Sequence, residues 1–199
     1  STVTQNDGDP TAMMASFLLP YLAIMFLATG RQRALLMPLA GLVGGILVLL
    51  VGMTSSWYTF GLVRRARARF FAEAILGAVG GACLALAYGT LFEGPPPTEP
   101  LRRVLGLELA LFVVGLCPAL FEELAFRGTL QGRFSALLGK GQGVLIAGTA
   151  FALAHGVTLG FPFHLGIGLC LCWLRNRAAS LVPGMVFHFL YNSILVVFA

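Results

Sequence analysis

Charge is what this chain has least of. Asp, Glu, Lys and Arg make up 11% of its 199 residues, against 58% hydrophobic residues, and the mean hydropathy is +0.88. That balance excludes an ordinary soluble domain, where about a quarter of residues are charged. Lysine is reduced to Lys140 alone, so the formal charge of +5 is carried by arginines spread through short connections. No basic face of the kind that binds nucleic acid is formed. The four cysteines, Cys83, Cys117, Cys170 and Cys172, lie in apolar runs without a CxxC pair, which argues for small buried hydrophobes and against disulfides. No Gly-x-Ser-x-Gly elbow is present, and no cysteine neighbours a histidine in sequence; nucleophilic serine or cysteine catalysis is not indicated. No stretch reads as a removable signal peptide. Residues 1–10 are polar and acidic without a basic n-region, and are expected to be a short free tail.

What is there in quantity is apolar sequence in lengths of about 20 residues, enough for a membrane span each. The expected fold is an all-α, multi-pass transmembrane helical bundle of about seven helices, forming one domain over 1–199. The spans are placed at about Thr11–Thr29, Ala34–Met53, Phe71–Phe92, Val104–Leu130, Gly143–Leu159, Phe161–Leu174 and Ser180–Phe198. Between the second and third, Trp57, Tyr58 and Phe60 precede Arg64, Arg65, Arg67 and Arg69, a pattern suited to a segment in the membrane interface or to a plain basic loop. With seven spans and the N-terminus inside, Arg64, Arg65, Arg67, Arg69, Arg133, Lys140, Arg175 and Arg177 fall on the inner side, and Arg31, Arg33, Arg102 and Arg103 on the outer. The positive-inside rule favours that orientation.

Against this background Glu122-Glu123-Leu-Ala-Phe-Arg127 stands out, because acids at membrane depth are costly and are read as functional by default. Glu123 and Arg127 are four apart on one helix face and can pair. Glu122 points about a third of a turn away from that pair. Pro118, four residues before Glu122, frees a backbone carbonyl and can bend the helix there. All three histidines fall in the last third of the chain, with His155 and His188 inside predicted spans. His164, beside Pro162, is read as interfacial. Asn192 follows His188 by four and shares its face.

This set permits hydrolysis. Glu122, helped by His155, can take a proton from water and direct its oxygen at a carbonyl carbon, while His188 and the Asn192 amide can donate to the oxyanion that forms. The same Glu122, His155 and His188 could instead hold zinc with an open position for water, though the helical His-Glu-x-x-His arrangement is absent. A third use is purely structural, a buried polar network in a non-catalytic membrane binder, immunity protein or scaffold.

Taken in order, Glu122-Glu123-x-x-x-Arg127, Phe151-x-x-x-His155 and His188-x-x-x-Asn192 on successive apolar helices resemble the CPBP family of intramembrane proteases. That family includes the type II, or Rce1-like, CAAX prenyl endopeptidases and the bacterial Abi proteins. The resemblance spans about Val104 to Ala199, which makes 104–199 the expected catalytic core; the Phe60-Gly61-Leu62 turn resembles the family more loosely. It implies an endopeptidase acting within the membrane on a membrane-anchored protein or peptide, with no cofactor, or with zinc in the older description of the family. It also implies Glu122 as general base with His155 assisting, Glu123 and Arg127 as site-shaping residues with Phe151 beside them, and His188 with Asn192 as oxyanion hole. About seven spans are expected here, against eight in the eukaryotic prenyl proteases, so a prenylated substrate is not implied. The abundance of Ala, Gly and Arg points to a GC-rich bacterial genome and a bacterial inner membrane. Partners are the bilayer and the substrate, with oligomeric state left open.

Overall fold

The computed structural model describes residues 61–62, 64–93 and 98–198, with single helical positions at 19, 20, 23, 36, 43, 44 and 46. Apart from those positions the first two expected spans lie outside the described residues, as do 54–60 and 63 of the aromatic and arginine-rich segment and the proline-rich stretch 94–97. Everything described is helix or short connection, and the architecture is an all-α bundle.

Helix α1, Ala68–Tyr88, widens into a π-helical turn over Gly89–Glu93. Its inner face carries Ala74, Ala78 and Ala82, all fully buried, at the spacing of four that puts residues on one side of a helix. A Cβ built on Gly77 would come within 2.7 Å of the Phe187 ring, and Gly81 lies against Tyr191; small residues let the two helices approach. Next comes a long apolar run from Glu99 to Leu138. It consists of α2 (Glu99–Ala110), a wide turn at Leu111–Leu116, α3 (Cys117–Glu122), a second wide turn at Glu123–Leu130 and α4 (Gln131–Leu138). This extends beyond the expected end at Leu130, because the helix stops only at Gly139, where φ is 97°.

Helix α5 (Lys140–Ala154) is closed by Gly156, with φ of 91°, so it ends before the expected Leu159 and His155 is its C-cap. Glycine adopts that left-handed conformation without steric cost. Helix α6 (Phe161–Ala178) continues through Arg175 and Arg177, four residues past the expected Leu174; cations in the last turn oppose the negative end of the helix dipole. Helix α7 is Val182–Val197.

The runs Ala68–Leu91 and Glu99–Leu138 are long and apolar enough to cross a membrane. Leu76, Leu91 and Val104 are 74%, 74% and 69% exposed on their outer faces, an apolar exterior that fits lipid and not water. One end of the bundle gathers Gly61, Gln131, Asn176 and Leu181, where Gln131 Nε2 donates to Cys172 O at 2.8 Å and Asn176 Oδ1 at 3.0 Å, and Leu181 N donates to Gly61 O. At the other end Thr98 donates to Leu195 O and Arg102 to Val197 O. Arg64, Arg65, Arg67, Arg69, Arg175 and Arg177 thus belong to the first end, and Arg102 and Arg103 to the second.

Candidate active site

Glu122 and Glu123 stand where α3 passes into the wide turn Glu123–Leu130. Insertions of this kind are rare in helices and are frequent at functional sites. Both acids are buried, 3% and 0% exposed, and they serve different neighbours.

Glu123 Oε1 lies 3.1 Å from Arg127 Nη1 and 3.1 Å from His188 Nδ1. A carboxylate only accepts, so the ring nitrogen facing it carries a proton. Arg127, 1% exposed, also donates from Nη2 to Gly168 O at 3.3 Å, and its guanidinium lies over the Phe151 ring at 4.3 Å. A buried cation is tolerable only when paired and hydrogen-bonded in this way. The Gly168 carbonyl is within reach because α5 and α6 cross at glycines: a Cβ on Gly168 would sit 2.7 Å from Gly148 O. Glu123 Oε2 rests against α7 where Gly184 has no side chain, and a Cβ there would be 2.9 Å away.

Glu122 Oε2 is 3.9 Å from His155 Nε2 and 3.8 Å from His188 Nε2. These separations exceed direct hydrogen bonding. His155 Nδ1 is 2.9 Å from Phe151 O. A carbonyl accepts only, so this nitrogen holds the proton and Nε2, facing Glu122, presents its lone pair in the neutral ring. Phe151 joins the parts: it meets His155 at 4.5 Å between centroids, His188 edge-on at 5.8 Å and Phe126 edge-on at 5.4 Å.

The structure therefore brings Glu122, Glu123, Arg127, Phe151, His155 and His188 into one cluster. Asn192 sits further along α7 and donates from Nδ2 to Val114 O at 2.9 Å. Val114 is the residue whose carbonyl Pro118 leaves without a helical donor, so one amide N–H is used there and a second remains. His164, read from sequence as interfacial, is in the first turn of α6 and stacks on His155 at 4.4 Å and 21°. All three histidines of the chain consequently meet. The clue was the short loop 156–160, bounded by Gly156 and Gly160, which folds the start of α6 back over the end of α5. Among the described residues no group of three His, Cys, Asp or Glu side chains is arranged to hold a metal ion.

The family profile for type II CAAX prenyl endopeptidase Rce1-like proteins matches residues 105–194. This stretch is similar to membrane-embedded endopeptidases of the CAAX type and contains every residue of the cluster. No curated protein and no solved structure is significantly similar to the chain. Within the matched stretch the three motifs come from α3 with its wide turn, the end of α5, and α7.

Proposed function

We propose that the chain is an intramembrane endopeptidase that hydrolyses a peptide bond of a membrane-anchored protein or peptide, with Glu122 as general base. The observation that carries this reading is the convergence of Glu122 Oε2 with two imidazole Nε2 atoms at 3.8 and 3.9 Å in a buried site. A water held by Glu122 and the His155 lone pair loses a proton to Glu122 as its oxygen attacks the scissile carbonyl carbon. His188, doubly protonated, donates from Nδ1 to Glu123 and from Nε2 to the oxyanion, and the second N–H of Asn192 adds a donor. When the C–N bond breaks, the departing amine takes the proton from Glu122. Glu123 and Arg127 orient His188, and Phe151 sets the His155 ring. Two carboxylates, Arg127 and a charged His188 sum to zero, which suits a site removed from water. The catalytic core runs 104–199 within a single transmembrane domain, 1–199, of a bacterial inner-membrane protein.

The buried Glu123–Arg127–His188 set also supports a second reading, a membrane binder or scaffold held together by polar contacts. The two are separated by co-expressing a panel of membrane proteins from the same genome with the wild type, Glu122→Gln and His188→Ala, and by adding a zinc chelator to the wild type. Glu122→Gln keeps the shape and removes the base, and is expected to lose about 10²–10⁴-fold in cleavage rate at unchanged thermal stability. Cleavage retained by Glu122→Gln would remove Glu122 from the mechanism, and cleavage abolished by the chelator would bring a metal into it.

A further inference from the structure

At the end of the bundle where α1 begins and α6 finishes, arginines distant in sequence converge around Arg175. Its guanidinium lies against Gly61, so that a Cβ there would be 2.7 Å from Nη2, and Gly61 has φ of 71°. Arg175 Nε is buried with no acceptor among the described residues. Arg64, three residues after Gly61 in the chain, adds a second positive charge at this end. Arg64, Arg65, Arg67 and Arg69 are exposed, and none of them is in a salt bridge among the described residues. Glu73, on α1 at this end, is taken by Arg177 at 2.7 Å. Two guanidiniums brought together, one of them partly withdrawn from water, repel unless an anion lies between them.

We propose that Arg64 and Arg175, with Arg65 beside them, bind the phosphate of an anionic phospholipid headgroup. Phosphate matches guanidinium geometry, with several acceptor oxygens for paired N–H donors. The height in the bilayer favours a lipid over a free ion. Within three turns of Arg69, α1 presents the outward apolar residues Ile75, Leu76 and Val79. Trp173, 54% exposed and under the Arg177 guanidinium at 4.3 Å, is a residue type that settles at the headgroup level. Clustered arginines next to a span attract anionic lipid, and here one of them is half-buried with its Nε lacking an acceptor among the described residues.

The test uses the full chain in neutral detergent micelles with Trp57→Phe, leaving Trp173 as the only emitter, and follows its quenching by brominated phosphatidylglycerol or brominated phosphatidylcholine. Phosphatidylglycerol is expected to saturate at the lower mole fraction, with Arg64→Gln and Arg175→Gln each weakening it about fivefold. Arg133→Gln, an exposed arginine at another position, should leave it unchanged. Arg64 is exposed, so its variant decides the matter even if Arg175→Gln folds poorly. Equal quenching by the two lipids overturns the proposal, as does an equal loss in Arg133→Gln, which would mean a diffuse field. If millimolar inorganic phosphate alone abolishes the preference and stabilises the lipid-free protein, the ligand is free phosphate and the lipid assignment falls.

Discussion

His155 is held on three sides, and each contact restricts one degree of freedom. The Phe151 carbonyl fixes which nitrogen bears the proton, the Phe151 ring lies on one side, and the His164 ring stacks at 4.4 Å. Rotation of the imidazole would turn its lone pair away from Glu122, so His164 acts as a positioning residue. His164→Ala is expected to lower kcat about tenfold with little change in KM, and His164→Phe, which restores a flat ring, to recover most of it. Loss of activity in both variants, measured on a cleaved substrate, would mean that the ring nitrogens themselves matter. Arg127 belongs to the structural half of the cluster. Arg127→Ala removes one of the two partners of buried Glu123 and should destabilise by about 3–5 kcal/mol, read as a large fall in melting temperature, whereas Glu122→Gln should barely shift it.

At the level of elements, the site depends on departures from regular helix. Pro118 cannot donate to Val114 O, and Asn192 of α7 does so instead, which ties the bend before the acids to the helix bearing His188. Pro118→Ala restores a helical donor and removes the need for that tie. It is expected to reduce cleavage while leaving helicity by circular dichroism unchanged. Gly184 is the matching constraint from α7: a methyl at Gly184 meets Glu123 Oε2 at 2.9 Å, while one at Gly80 meets nothing within 4 Å. Gly184→Ala should cost about 1–3 kcal/mol of stability and impair cleavage, and Gly80→Ala neither. The motif residues were legible because a spacing of four survives bending, so Glu123 and Arg127 could be paired on sequence alone. The partner of Asn192 was not, since a freed carbonyl on α3's approach says nothing about which helix will answer it. His164 was also missed, because proximity to a proline and a turn describes its neighbours in sequence and not the ring above it.

For the molecule as a whole, the outward face decides the solvent. Leu76 is 74% exposed and lies eight residues into α1, about 12 Å along its axis. Leu76→Lys would be harmless on a soluble protein. Facing hydrocarbon, it should cost about 2.5–3.5 kcal/mol, seen as a reduced yield in the membrane fraction and a lower melting temperature in detergent. The sequence by itself determined the fold class, the membrane setting and the identity of the residues in the cluster, because apolar run length and the cost of a buried charge act locally along the chain. Tertiary structure decided which atom of each side chain faces which. Glu123 and not Glu122 takes both Arg127 and His188, His164 covers His155, and Arg175 rests against Gly61 across more than a hundred residues. Those outcomes follow from helix crossings at Gly148, Gly168 and Gly184 and from wide turns that shift the phase of a helix, and such geometry exists only once the helices have packed.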